Sequence, residues 1–162
     1  MSRRIIRLVG PIALAVSVTD CATKRVAEDS LIPGVPHDFL GDVLRFTLTY
    51  NRVGAMGISL GDWSRPVFAV CAIAILFALP RWYQQLSDRS RWAAVGLALV
   101  TGGAVGNLWD RVLAQRGVVD FIDIGIAQHR FFIFNVADIA VMIGTCLIAL
   151  TTVNSTNVKR TG

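Results

Sequence analysis

Four aspartates in the second half of the chain, Asp110, Asp120, Asp123 and Asp138, lie inside or beside segments that are otherwise apolar, and so does the earlier pair Asp20 and Lys24. A carboxylate in or near lipid is costly to keep ionised, so an acid retained there points by default to a functional site. Two carboxylates held close together cannot both ionise easily; they share a proton and their pKa values separate. Such a pair can hydrolyse an amide. The ionised member takes a proton from water as the water attacks the carbonyl, while the protonated member polarises that carbonyl and helps deliver a proton to the leaving amine. Neither a covalent intermediate nor a metal is needed. Asp120 and Asp138, within "GVVDFIDIGIAQHRFFIFNVADIAV", suit this chemistry, but spacing alone cannot select two of the four acids.

Other chemistries find less support. His37 and His129 fall in segments that read as outward loops, so no Ser/His/Asp set assembles, and no clustered ligand set suggests a metal or other cofactor. Cys21, Cys71 and Cys146 are far apart, with neither ligand spacing nor a disulfide framework, and read as small buried hydrophobes. Asp20 and Lys24 are four apart and can pair on one helix face. Asp110 and Arg111 could tie helix ends together; for both pairs, charge compensation and substrate contact are equal readings. The net charge of +5 comes without a basic stripe interleaved with aromatics, which argues against nucleic acid. Basic residues cluster instead at "SRRIIR", "RWYQQLSDRSR" and "VKR", between or outside the apolar runs, as anionic lipid headgroups would favour.

These residues must be positioned by membrane helices. The 162 residues are 54% hydrophobic and 17% charged, with a mean hydropathy of +0.56, more apolar than a soluble domain. The apolarity is blocked into four runs, predicting helices at about 5–27, 64–82, 92–110 and 134–153. A span needs roughly 20 residues, so the second run, bounded by Pro66 and Pro80, suffices if Trp63, Trp82 and Tyr83 mark its interfacial ends. The first run ends in "VTDC", like the cysteine box of a lipoprotein precursor. Asp20 stands where a small residue is required and no A-x-A site follows, so a retained helix is expected. An even number of spans puts both termini on one side. Lys and Arg divide equally between the two sides, but those on the terminal side sit in shorter segments, which favours cytoplasmic termini. Gly102 and Gly106 form a G-x-x-x-G spacing for close helix packing. Glycine-bracketed, β-prone residues within about 38–62 predict two or three short strands on the membrane surface, and the tail 154–162 reads as disordered. The fold class is therefore an all-α membrane protein in one integral domain, with four transmembrane helices and a small sheet between helices 1 and 2.

Five pieces, "DCATK" (20–24), "YNRVGAMGISLG" (50–61), "GGAVGNLWDR" (102–111), "GVVDFIDIG" (117–125) and "IFNVADIAVM" (133–142), occur in order across nearly the whole chain. Together the chain resembles the bacterial lipoprotein signal peptidase (signal peptidase II) family. The resemblance implies an inner-membrane aspartyl endopeptidase with cytoplasmic termini and a periplasmic β-cradle, its active site near the periplasmic face. The implied substrates are diacylglyceryl prolipoproteins, cut just before the lipidated cysteine, with membrane lipids as the other partner, no cofactor and a monomeric protein. It implies Asp120 and Asp138 as the dyad. Asp20, Lys24, Asn51, Gly54, Asn107, Asp110, Arg111 and Asn135 match polar or glycine positions that line or brace the pocket. Two departures are visible: "NRVGAMG" has one residue more between Asn51 and Gly54 than the family's N-x-G, and the loop "RVLAQRGVV" is one residue longer than common.

Phe121, Ile122, Phe131, Phe132 and Phe134 could wall acyl chains or simply anchor the interface. Three alternatives compete: a proton-coupled transporter, a non-catalytic scaffold and a lipid-modifying transferase. The first would need polar groups across the membrane, the second is disfavoured by intact "VVDF" and "FNVAD", and the third would need an acid cluster on the cytoplasmic side.

Overall fold

The computed structural model describes residues 3–52, 60–85, 90–114 and 116–158; Gly54 lies outside them. Four helices, α1 (Arg3–Ser30), α2 (Ser64–Gln85), α3 (Arg91–Leu113) and α4 (Val136–Val158), are joined by four strands: β1 (Pro36–Leu40), β2 (Leu44–Asn51), β3 (Val118–Ile126) and β4 (His129–Arg130). Each helix is long and apolar enough to cross a membrane. α2 runs through Pro80, as the expected helix at about 64–82 does, because a proline inside a membrane helix is tolerated where neighbouring groups satisfy the freed carbonyl. α4 runs on to Val158, into the segment expected to be disordered.

α3 is the central helix, packed on α1, α2 and α4. Most of its span is buried, whereas the other three leave most of their apolar surface uncovered, as helices facing lipid do. Small residues make the close contacts possible. A Cβ on Gly96 would stand 2.8 Å from Gly144 O, and one on Gly144 would stand 2.7 Å from Gly96 O, so α3 and α4 touch through paired glycines. Gly103 faces α4 at Ala137 O; Gly102 and Gly106 both face α1, at Ala13 and Asp20. The G-x-x-x-G spacing thus serves the α1–α3 contact.

Exposed tryptophans mark the two ends of the bundle. Trp63 and Trp109 lie at one end, Trp92 at the other with the half-buried Trp82, in the manner of interfacial belts. Trp92 and Trp109 are separated by about 26 Å of α3 at 1.5 Å per residue, close to the hydrocarbon thickness. Tyr83 is instead buried against Ala93, Ala94 and Leu97, not interfacial. Cys21, Cys71 and Cys146 are exposed on the outer helix surfaces, not buried as expected. A small apolar side chain suits a helix surface that faces lipid.

The sheet is antiparallel in the order β1-β2-β3-β4. Only β1 and β2 arise where strands were expected. β3 and β4 come from the segment read as a loop, and His37 and His129 sit in strands β1 and β4. β3 escapes a period-2 reading because it is buried on both faces through Phe121, so its apolar residues run together without alternating. One extra residue on β2 opposite Phe121 makes a bulge between Phe46 and Thr49. Phe121 belongs to the core with Ala27, Leu48 and Val119, which removes it as an acyl-chain wall; Phe131 and Phe132 remain exposed.

Candidate active site

β3 and the start of α4 are stitched together where two acids come near each other. Ile122 pairs with Phe134 through Phe134 N to Ile122 O at 3.1 Å and Ile122 N to Phe134 O at 2.8 Å. That bridge sets Asn135 beside Asp120. Asn135 is fully buried, and its Nδ2 donates to Asp120 Oδ1 at 2.6 Å, to Asn107 Oδ1 at 3.1 Å and to Val119 O at 3.2 Å. Its Oδ1 accepts from Asp138 N at 3.0 Å, while Asn135 N donates to Asp138 Oδ2 at 3.2 Å. This reciprocal pair is a capping box, with Asn at the cap and Asp three residues on. One residue therefore binds both carboxylates, and the "N-x-x-D" spacing is what lets it do so.

The remaining oxygens are also held. Asp120 Oδ2 accepts from Asn51 Nδ2 at 3.0 Å and Asp138 Oδ1 from Asn107 Nδ2 at 2.8 Å. Asn51 closes β2, and Gly117 lets β3 start hard against it. Gly117 has a φ of +107°, and a Cβ there would meet Asn51 O at 2.7 Å, so a side chain is barred on both counts. Burial first, and the charge of Asp138 second, push the Asp120 carboxyl up to about 7; the hydrogen bonds from Asn51 and Asn135 and the charge of Lys24 oppose this.

Behind the acids lies a buried lysine. Lys24 Nζ reaches Asp20 Oδ2 at 2.7 Å, Asp110 Oδ2 at 2.8 Å and Asn107 Oδ1 at 3.1 Å, so its three hydrogens have three acceptors. Asp20 Oδ1 accepts from Ala137 N at 2.9 Å, which makes Asp20, on α1, a second cap for α4. Gly106 leaves room for it: a Cβ there would stand 2.5 Å from Asp20 Oδ2. Gly106→Ala is expected to cost about 1–3 kcal/mol by overpacking and to loosen the Asp20–Ala137 cap, read as a lower melting temperature of the detergent-solubilised protein. An unchanged melting temperature would show that Asp20 can step aside.

Asp120, Asp138, Asn51, Asn107 and Asn135 thus form one connected group, joined through Asn107 to Lys24, Asp20 and Asp110. Arg111 donates to Asn107 O at 3.2 Å and lies 5.7 Å from the Phe68 ring centroid, with Asp138, Asp120 and Asp110 acting on it electrostatically. Asp123 is separate. It accepts from Thr47 Oγ1 at 3.0 Å and pairs with Arg130 at 2.8 Å, tying the sheet together. Sequence reasoning missed Arg65, whose Nε donates to Arg111 O at 2.5 Å and whose Nη2 donates to Val112 O at 3.1 Å. It caps the end of α3 from the start of α2, and no local signal announces it. Among the described residues, no group of three His, Cys, Asp or Glu is arranged to hold a metal ion.

Four helices long and apolar enough to cross a membrane, with buried acids beside a small sheet at one end, define a polytopic membrane protein that carries a site suited to acid–base chemistry. A bacterial membrane enzyme solved by the in meso method at 2.3 Å matches at a TM-score of 0.82 and 31% identity, covering 93% of this chain and 90% of that one. A second, solved at 1.9 Å, matches at 0.79 and 33% identity, covering 91% and 93%. The family model described as signal peptidase (SPase) II matches residues 12–154, and the chain belongs to that family. The lipoprotein signal peptidase of Pseudomonas putida is 38% identical over 143 residues, 86% of this chain and 82% of that one. The one from Teredinibacter turnerae is 35% identical over 153 residues, 93% and 90%.

Proposed function

We propose that this chain is an aspartic endopeptidase of the bacterial inner membrane that removes signal peptides from diacylglyceryl-modified prolipoproteins, cutting just before the lipidated cysteine. The observation that carries the reading is that Asn135 holds the carboxylates of Asp120 and Asp138 at one place, from a strand and a helix respectively. One carboxylate takes a proton from water as the water oxygen bonds to the scissile carbonyl carbon. The other, protonated, gives its proton to the carbonyl oxygen. The tetrahedral diol then collapses: a diol hydroxyl returns a proton to the ionised carboxylate, the C–N bond breaks, the amine nitrogen gains the proton taken from water, and the carboxyl product leaves with the dyad again holding one proton. The pair titrates as a unit, with one proton shared between the two acids. No metal or cofactor enters these steps.

The setting supports this substrate. A lipidated peptide stays in the bilayer, and acids level with the Trp63 and Trp109 belt can meet both lipid and water. An even number of spans supports termini on one side, the cytoplasmic one in this reading, with the sheet as a periplasmic cradle beside the site. The chain acts as a single integral domain over residues 1–162 and as a monomer. Asn51, Asn107 and Asn135 orient the dyad, Asp20, Lys24 and Asp110 brace it, and Arg111 faces it.

The test is cleavage of a purified diacylglyceryl prolipoprotein by the protein in detergent, read as a gel shift, with an unlipidated precursor as control. Cleavage of the lipidated form alone supports the reading; no cleavage by folded protein would sink it. The shared proton sets the pH dependence. Because the Asp120 pKa is raised to about 7, its proton is retained below that value and lost above it. Activity is expected to fall about tenfold per pH unit above pH 7. The same shift makes folding stability decline as pH rises from about 4, where the unfolded acid titrates, towards 7. A flat profile from pH 6 to 9 would count against a proton held on Asp120.

A further inference from the structure

A second charged cluster stands at the same end of the bundle, apart from the acids. Arg25 and Glu28 lie in the last turns of α1, Arg52 follows β2, and Arg116 precedes Gly117 at the entry to β3. Arg116 pairs with Glu28 through Nη2 and Oε1, and its guanidinium lies 5.1 Å from the Tyr50 ring centroid. Arg25 Nη1 is 3.9 Å from Glu28 Oε2, attracted but beyond hydrogen-bond reach. Arg52 Nε donates to Arg116 O at 3.3 Å. Arg25 and Arg116 therefore flank one nearly buried carboxylate, with Arg52 bound to the Arg116 backbone, and three exposed arginines stand against two acids, Glu28 and the exposed Asp29. Among the described residues no acceptor takes the Nη groups of Arg52.

Depth indicates what these groups meet. α1 has 28 residues and runs about 42 Å, against about 30 Å of hydrocarbon, so its last turns reach the headgroup layer. The exposed Trp63 and Trp109 mark the same boundary. Guanidinium groups bind phosphate with paired, charge-assisted hydrogen bonds, and phospholipid phosphates lie at this level.

We propose that Arg25, Arg52 and Arg116 bind the phosphate of an anionic phospholipid headgroup in the leaflet nearest Asp120 and Asp138. Glu28 and Tyr50 hold Arg116 in place, and the bound lipid links the end of α1 to the ends of β2 and β3. Asn51 follows Tyr50 directly, so the lipid sits at the rim of the candidate active site. The inference stands on membrane embedding and not on the peptidase reading, so its test reads lipid and not cleavage.

The full-length protein is reconstituted in phosphatidylcholine nanodiscs with spin-labelled phosphatidylglycerol or, separately, spin-labelled phosphatidylcholine, and the motionally restricted fraction is compared. Wild type is expected to prefer the anionic lipid by about fivefold for each arginine engaged. R25Q/R52Q/R116Q should lower the ratio by most of this amount, leaving what the basic residues at the opposite end of the bundle contribute, while R81Q/R91Q, at that opposite end, should lower it less. The single R25Q, which breaks no hydrogen bond, should lower it in part and keeps the test open should the triple variant fail to fold. Retention of the preference in R25Q and the triple variant, or equal loss in R81Q/R91Q, would overturn the proposal. So would loss of the preference in millimolar inorganic phosphate, which would assign the site to a soluble anion.

Discussion

Asp138→Asn and Asp120→Asn are each expected to lower the cleavage rate by about 10³-fold or more, with substrate binding largely retained. General acid–base catalysis by one positioned group contributes about 10²–10⁴-fold, and removing either acid disables both the proton acceptor and the proton donor. The two variants share a structural cost. Asp138 Oδ1 accepts from Asn107 and Oδ2 from Asn135 N, and Asp120 likewise accepts from an amide nitrogen at each oxygen. In either variant an asparagine keeps one bond and turns its NH₂ towards a donor at the other. Each should therefore also lose about 1–3 kcal/mol of stability. Activity assayed beside thermal unfolding separates the effects. A folded Asp138→Asn variant that still cleaves at a tenth of the wild-type rate would refute the dyad.

Loss of Lys24 should have the largest effect on stability. Lys24→Met removes the cation that bridges Asp20 and Asp110 at 2.7 and 2.8 Å, in a place where Asp20 is only 1% exposed. Breaking a buried pair by deleting one partner costs about 3–5 kcal/mol, because the other charge is left uncompensated. Asp20 also caps α4 at Ala137, one residue before Asp138, so repulsion between the orphaned acids should reach the dyad through the helix. Lys24→Met should thus lower both melting temperature and activity. Adding Asp20→Asn and Asp110→Asn to it should restore stability, since neutral groups of similar shape can replace a buried ion network at little net cost. If the triple variant is no more stable than Lys24→Met, buried charge is not the cause, and lost packing by the lysine stem is.

Much of the architecture was legible in local pattern. Four apolar runs predicted four helices, because a membrane helix satisfies its own backbone and needs only length and apolarity. The G-x-x-x-G spacing predicted a close contact, and the Asp20–Lys24 pair follows from helical periodicity alone. The ends were less legible. α4 passes residue 154, since a polar residue within a span is judged by its neighbours and not by its own propensity.

Tertiary structure decided which acids meet. By spacing, Asp110, Asp120, Asp123 and Asp138 were equivalent, and only the family resemblance separated them. The fold adds a physical criterion. With Val118–Ile126 extended as strand β3, Asp120 and Asp123 are an odd number of residues apart and face opposite sides. Asp123 goes to Arg130 and Thr47, and Asp120 goes to Asn51 and Asn135. That strand was hidden because it is buried on both faces, leaving no alternation to read. Asn51, Arg65 and Ala137 N find partners far along the chain, and pairing of this kind is written in no local pattern. The sequence by itself determined the helices, the glycine contacts and the one-turn pairings, because those depend on neighbours within about a turn; the choice between carboxylates required the packing of β3 against α4.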